Sequence, residues 1–344
     1  MTSSTWTLDR TAAADAFRVL TAGGVVLLPT HQNVDADGLA SALAMRQALA
    51  QVGVSGVVVV SDGDLPPNLA FLPGIDTVLR YGHDPLPKYD RLCLVDCADR
   101  NRLGAFVRDD PSRVDGRMPL VNIDHHVTND RYGVVSIVEP TAASTAEIVS
   151  DVLAAWGTEL TQSIAECLLA GIYGDTLGLR TPATTARTMR VAADLVDAGA
   201  NPAPIVDHLF RLKPRSTVCL WEKTLATVTW TGLVIWAELT RETLRNCHAE
   251  ASEAEGLVNF LAGTEGSRVA AMLYQEDTGW RVSMRSLAED VDVSAIAAVF
   301  GGGGHPRAAG CQIGPDEAAR DSFLARVASL AAPDAPTLAT DGPG

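Results

Sequence analysis

Between residues 15 and 199, short runs of consecutive apolar and β-branched residues alternate with longer stretches whose apolar positions recur every three or four residues. The runs at 25–30, 57–60, 91–95 and 118–123 are too short for helices and lack polar alternation, so they read as strands buried on both faces. Helical spacing occupies 39–52, 145–156, 161–173 and 188–198. Strands alternating with helices predict βαβ units, and hence an α/β, doubly wound and mainly parallel sheet.

The pattern changes near residues 212–222, where Lys213, Pro214, Arg215 and Ser216 form a polar interruption. A first domain over 1–212 and a linker over 213–225 are expected. Beyond them, 226–229 with 233–239 and 268–275 with 280–285 read as hairpins, the second turned at Asp277, Thr278 and Gly279. A smaller α/β domain over 226–331 follows, and the unpatterned tail 332–344, rich in Ala, Pro and Gly, is expected to be disordered.

Composition narrows the class. With 47% hydrophobic and 20% charged residues among 344, the chain can bury two sizeable cores. The first ten residues lack a signal-peptide pattern and no apolar run nears the roughly 18 residues of a membrane span, so a cytoplasmic protein without a membrane partner is expected. Six cysteines (Cys93, Cys97, Cys167, Cys219, Cys247, Cys311) show no Cys-x-x-Cys pairing, which predicts reduced, mostly buried thiols. The 42 acidic against 27 basic residues, a net −15, favour a small ligand over a long nucleic acid.

Ionisable residues gather at the ends of the predicted strands. The run 25–30 leads into His31-Gln-Asn-Val-Asp35-Ala-Asp37, where an extended loop would project Asp35 and Asp37 to one side. Oxygen donors with one imidazole suit manganese or magnesium better than zinc. Taken singly, Asp37 could instead cap the following helix while Asp35 stays solvated. The run 91–95 ends in Asp96, a residue type equally at home in a turn. The run 118–123 ends in Asp124-His125-His126; on strand alternation the two imidazoles point oppositely, so one can ligate a metal while the other faces a substrate phosphate or the interior. Gly171-Ile-Tyr-Gly-Asp175-Thr176 closes a helix, its glycines permitting close backbone approach or a left-handed turn that frees Asp175 to aim inward. Three of these four motifs fall at carboxyl ends of parallel strands, where open α/β sheets bind ligands. In the second domain, Gly301-Gly302-Gly303-Gly304-His305-Pro306-Arg307 reads as a glycine loop feeding a helix at Pro306, with backbone N–H groups, His305 and Arg307 turned to an anion. Ser283, Arg285 and Ser286 on the preceding strand add donors.

These motifs resemble the DHH phosphoesterase family, named for a triad matched by Asp124-His125-His126, and in particular its nanoRNase, oligoribonuclease and pAp-phosphatase branch with a DHH-associated C-terminal domain. The resemblance spans residues 22 to 314. This chain departs from the family's His-x-Asn-Pro-Asp-x-Asp at Val34, and at Ala40 where glycine is usual, changes that alter loop stiffness rather than ligands. The resemblance implies two Mn2+ per active site, with Mg2+ or Co2+ as substitutes. His31 and Asp35 would hold one ion and Asp37, His125 and Asp175 the other, with Asp96 bridging. Asp124, His125 and His126 would be the catalytic group, His126 facing the scissile phosphate and Asp124 orienting an imidazole. Ser283, Arg285, Ser286, Gly302, Gly303, Gly304, His305 and Arg307 would hold the nucleotide, with the active site in the cleft between the domains. It further implies a hydrolase that converts short oligonucleotides, cyclic di-AMP or pApA to AMP, and also 3′-phosphoadenosine 5′-phosphate (pAp), acting as a homodimer. RecJ-like exonucleases and family II pyrophosphatases share the amino-terminal motifs. The first usually carries a further nucleic-acid-binding domain and the second a basic Ser-Arg-Lys-Lys segment, neither of which is found here. A catalytically inactive cyclic-dinucleotide sensor should have lost a metal ligand, and all six are present.

Overall fold

The computed structural model describes residues 6–332. The chain divides into two compact units, Met1–Leu212 and Lys213–Gly344. Among the described residues no helix is long and apolar enough to cross a membrane.

The first unit contains strands β1 (Val25–Pro29), β2 (Ser55–Val60), β3 (Leu79–Arg80), β4 (Arg91–Val95), β5 (Leu120–Asp124) and β6 (Val135–Val138), arranged β3-β2-β1-β4-β5-β6. Every pairing in this sheet is parallel. Alternate residues enter opposite cores, Val26, Leu28, Cys93 and Val95 on one face and Leu27, Leu92 and Leu94 on the other. The unbroken apolar runs of the sequence are therefore what a sheet buried on both faces requires.

The long helices α1 (Arg10–Thr21), α2 (Ala36–Gln51), α3 (Thr145–Ala155), α4 (Gln162–Thr176) and α5 (Ala186–Asp197) pack into the first core. The short helix Ala105–Arg108 and the turns around it cover the second, through Leu103, Phe106 and Val114. The winding is double but lopsided. Helix α2 is buried nearly all round, and its small residues let α4 approach closely. A Cβ at Gly171 would stand 2.6 Å from the Ala146 Cβ, and one at Gly174 2.7 Å from the Ala36 Cβ. These glycines lie inside α4, which runs on through Asp175 to Thr176. Of the two uses open to the glycines at 171 and 174, the structure takes the close backbone approach, and the left-handed residues Leu177, Gly178 and Leu179 lie beyond the helix.

In the second unit residues 215–225 are helix α6 (Arg215–Leu225), not a linker. Its apolar positions, with Leu220 fully buried, override the polar entry that suggested an interruption. Strands β7 (Thr229–Thr231), β8 (Val234–Leu239), β9 (Val269–Gln275), β10 (Trp280–Ser286), β11 (Gly303–His305) and β12 (Ala308–Ile313) form a second sheet, ordered β11-β12-β10-β9-β8-β7. Both expected hairpins are present as antiparallel pairs, and β8 with β9 is parallel. Helices α7 (Val293–Val299) and α8 (Glu317–Leu330) close one face. The expectation of six reduced thiols is also corrected, since Cys219 in α6 and Cys247 at the end of helix Arg241–Cys247 form a disulfide. Their 28-residue separation hid the pairing, because helix packing alone brings them together. The other four cysteines are free and buried. The tail, save residue 332, lies outside the described residues.

Candidate metal centre

Strands β1, β4 and β5 are neighbours, and the chain leaves β1 toward one side of the sheet and β4 toward the other. Their carboxyl ends therefore flank a topological switch point, the position at which open α/β sheets carry ligands. His31 follows β1, Asp96 follows β4, and Asp124 is the last residue of β5.

Helix α2 begins at Ala36, beyond the short segment 32–35 that follows His31. Asp35 is its N-cap and accepts the Gly38 N–H at 3.0 Å; Asp37 lies in its first turn. The two carboxylates are offered from a helix start, not an extended loop, and the cap is Asp35 rather than Asp37, a role that leaves Asp35 able to serve as a ligand in the same conformation. Asp37 is wholly buried and accepts the Thr145 and Ala146 N–H groups at 2.6 and 2.9 Å, at the start of α3. Asp96 has φ 57°, a left-handed conformation that Asp tolerates better than most residues. Its Oδ1 accepts the Thr145 hydroxyl at 2.9 Å.

The imidazoles are tethered by one edge. His31 Nδ1 pairs with the Gln32 carbonyl at 2.9 Å, leaving Nε2 3.4 Å from Asp96 and 3.6 Å from Asp35. His125 Nδ1 faces the Ala142 carbonyl at 3.4 Å, and its Nε2 lies 3.1 Å from Asp175 and 3.6 Å from Asp96. Such a carbonyl contact sets the tautomer that leaves Nε2 free for a metal. His126 Nδ1 sits 2.7 Å from Asp124 and 3.6 Å from Asp96. The two histidines thus turn the same way, toward Asp96, rather than apart. They follow β5 instead of lying in it, so strand alternation does not govern them.

Asp124 is fully buried and spent. It receives the N–H groups of His125 and His126, the His126 ring and the Asn129 amide. Although burial raises its pKa, His126 and Asn129 hold it below the ordinary carboxylate range.

Ligand-type atoms collect into three overlapping groups: His31, Asp35 and Asp96; Asp37, His125 and Asp175; Asp96, His125 and His126. The electrostatics favour a cation. Burial, then the charges of Asp96 and Asp175, push Asp37 well above the usual carboxylate range. Asp175 is raised by burial and by Asp96 despite its pairing with His125. Burial opposes the charge of His31, yet Asp35 and Asp96 outweigh it and raise the imidazole to about 10. His125 rises to about 10 in the same way, through Asp175, Asp37 and Asp96. Carboxylates crowded in a dry pocket repel one another unless positive charge is brought among them.

A fit to divalent metal rests on one atom in particular. His31 Nε2 is buried and has no hydrogen-bond partner among the described residues, a costly state for a polar nitrogen. A Cβ at Gly38 would stand 2.9 Å from this atom, and one at Gly171 2.7 Å from Asp37 Oδ1, so glycines keep the donors clear. Four carboxylates with two imidazoles suit a hard or borderline cation such as Mn2+ or Mg2+. The open side is marked by side-chain exposures of 54% for Asp35, 35% for His126 and 26% for Asp175, against 1–3% for His31 and Asp96.

Sequence reasoning missed Thr145 and Asn129. Ser144-x-x-Glu147 before an apolar run signals a helix start, but not that the helix end would face Asp37 and Asp96. Asn129 links Asp124, Asn122 and the Cys97 carbonyl, a network invisible without the fold.

The second unit has an open cavity of about 590 Å3, lined by Ser283, Arg285, Phe300, Gly302 and Gly303 among others. Gly304, His305, Arg307 and Ser286 are not in its lining. No helix starts at Pro306, which instead turns β11 into β12; the expected helix-terminus anion site is thereby corrected. Arg285 is tied to Asn259 at 2.9 Å. Arg307 donates to the Ala288 carbonyl, and the buried Ser286 hydroxyl reaches the Arg268 and Ala288 carbonyls.

Residues 25–172 match the DHH family, N-terminal domain, and residues 243–332 match the DHHA1 domain. The chain is 34% identical over 299 residues to the bifunctional oligoribonuclease and PAP phosphatase NrnA of Thermus thermophilus, spanning 84% of each chain. It is 27% identical over 329 residues to the Bacillus subtilis protein of the same name, spanning 92% of this chain and 97% of that one. An exopolyphosphatase-related protein from Bacteroides fragilis superposes with a TM-score of 0.80 at 21% identity, over 94% of this chain and 97% of the other, a likeness of fold.

Proposed function

The chain belongs to the DHH family, and from that premise we propose that it is a manganese-dependent phosphodiesterase hydrolysing short oligoribonucleotides and dinucleotides such as pApA or cyclic di-AMP to 5′-mononucleotides, with pAp as a further substrate. The observation that carries this reading is the convergence of His31, Asp35, Asp37, Asp96, His125 and Asp175 at the sheet's switch point, around a buried imidazole nitrogen with no hydrogen-bond partner among the described residues. We assign His31, Asp35 and Asp96 to one cation and Asp37, His125 and Asp175, with Asp96 shared, to a second. Bound there, two divalent cations would supply an acidified water and offset the charge that builds on the phosphoryl group.

The chain's own residues do the rest. Thr145 and Ala146 fix Asp37 through their N–H groups, and the Thr145 hydroxyl fixes Asp96. Asp124 holds His126 by Nδ1, which leaves Nε2 on the open side to donate to a phosphoryl or leaving oxygen. The cavity of the second unit is assigned to the nucleotide, through Ser283, Arg285, Gly302 and Gly303. Acidic net charge supports a small substrate over a long nucleic acid.

The test is hydrolysis of pApA, cyclic di-AMP, pAp and a longer RNA, with EDTA and then with added Mn2+, by wild type, Asp124→Ala and His125→Ala. AMP from the small substrates, dependent on Mn2+ and lost in both variants, is the expected result. Preferred digestion of the long RNA would move the protein toward the RecJ-like exonucleases. Tight nucleotide binding without turnover would make it a sensor.

A further inference from the structure

Among the described residues, one guanidinium beside the candidate metal centre has no acceptor oxygen within reach. Arg102 sits in the single turn Arg100–Leu103 that follows Asp96, and its backbone is pinned there, its carbonyl accepting the Gln32 N–H at 2.6 Å. Its neighbours are occupied: Arg100 donates to the Val114 carbonyl and lies over the Tyr132 ring, and Arg108 pairs with Asp62. Among the described residues Arg102 makes no ion pair and no hydrogen bond to an oxygen. Its only close polar contact is with His31 Nδ1, 3.4 Å from Nη2. That nitrogen already donates to the Gln32 carbonyl, so two donors face each other and the guanidinium's hydrogen-bonding capacity is unused.

The side of His31 on which Arg102 lies tells what it can reach. Nε2 is turned to Asp96 and Asp35, whereas Nδ1 is on the ring's opposite edge. An anion held by Arg102 would therefore be separated from the donor cluster by the width of an imidazole. That displacement suits a phosphate next along the substrate rather than the one under attack. A planar, permanently charged fork is well matched to two phosphate oxygens. Among so many carboxylates the bland alternative is that Arg102 only balances their charge, and the two accounts differ in what its loss does to metal binding.

Resting on the hydrolase reading above, we propose that Arg102 is a positioning residue that grips a second phosphate of the substrate, one nucleotide removed from the bond being cleaved. It would favour substrates with an additional phosphate, such as pApA and pAp, over the unphosphorylated dinucleotide ApA.

The experiment compares KM for pApA and for ApA in wild type, Arg102→Ala and Arg102→Lys, alongside Mn2+ affinity by electron paramagnetic resonance titration. A charge-assisted contact of about 1.5–3 kcal/mol corresponds to roughly 10- to 100-fold. Arg102→Ala is therefore expected to raise KM for pApA at least about tenfold more than KM for ApA, with kcat for pApA changed little. Arg102→Lys should recover part of the loss, and Mn2+ affinity should hold. A parallel change in both substrates, or a shifted Mn2+ affinity, would overturn the proposal and leave Arg102 a support of His31. Should wild type cleave neither, the hydrolase reading fails by itself. Calorimetric binding of pApA and ApA then decides Arg102 separately: equal affinities in wild type, or a preference that survives Arg102→Ala, would sink it. A variant that fails to fold, seen by circular dichroism, leaves the lysine variant to carry the comparison.

Discussion

In the first unit the groups offered to a ligand are side chains held in place by backbone, and in the second they are backbone left bare by missing side chains. Around the switch point, Asp37 is fixed by two N–H groups, Asp124 by two more, and His31 and His125 face carbonyls. The second cavity is walled instead by Gly302, Gly303 and Gly310 beside Ser283 and Arg285. A Cβ at Gly302 would stand 2.1 Å from the Gly310 carbonyl oxygen. The first arrangement demands one orientation of each charged group, as chemistry does; the second demands shape, as binding does. Loss of a side chain should therefore end turnover in one unit, and gain of a side chain should weaken affinity in the other.

The sharpest break is Asp96→Ala. This carboxylate lies near His31, His125 and His126 at once and, like His125, belongs to two of the ligand groups. Its removal should lower kcat by on the order of 10^3-fold or more, the several kcal/mol expected when a metal site is dismantled. Retained folding by circular dichroism with lost Mn2+ binding is the accompanying signature. Turnover within tenfold of wild type would refute the assignment of Asp96 as the shared ligand.

Asp124→Asn should act more gently, because Asp124 touches the proposed ligands without belonging to their groups. The amide can still accept the two N–H groups but no longer balances a charged His126. A fall in kcat of about 10- to 100-fold is expected, the usual cost of losing an orienting partner. Mn2+ affinity should fall less than in Asp96→Ala; an equal fall would place Asp124 among the ligands.

The strand ends and their acids were legible because a sheet buried on both faces writes itself as unbroken apolar runs, and the first polar residue after each run is delivered to one edge. Asp96 after β4 and His31 after β1 are of this kind. Thr145 was not legible, since its contact with Asp37 spans more than a hundred residues and depends on how α3 meets α2. The choice between close approach and a left-handed turn at Gly171 and Gly174 was open for a related reason, since only the packing of α4 against Ala36, Asp37 and Ala146 decides it. The hairpin at Pro306 shows the same limit, as a residue suited to a first helical turn serves equally well in a turn between strands.

In the second unit, Gly302→Ala should raise KM several-fold while leaving Mn2+ affinity unchanged. The added methyl would press on the Gly310 carbonyl and on Cys311, both backbone-anchored in β12, so the strand must shift. A stability cost of about 1–3 kcal/mol is typical of such overpacking. Steady-state kinetics with pApA, read beside a thermal melt, separates the two effects. An unchanged KM would remove this loop from the binding site.

The smallest effect on turnover should come from reducing Cys219–Cys247. The disulfide joins α6 to the helix ending at Cys247, in the core formed with Leu220, Leu239 and Leu257, and neither cysteine lines the cavity at Gly302. Closing a loop of this length restricts the unfolded chain by about 3.6 kcal/mol in the chain-entropy account. Reduction should therefore lower the melting temperature of the second unit while kcat/KM for pApA stays within about twofold. Thiol titration of the native and denatured protein sets the starting point: four thiols after denaturation indicate the bond, and six indicate its absence. Because the proposed metal ligands belong to the first unit, a large loss of turnover on reduction would mean that the two modes of site construction contrasted here are not independent.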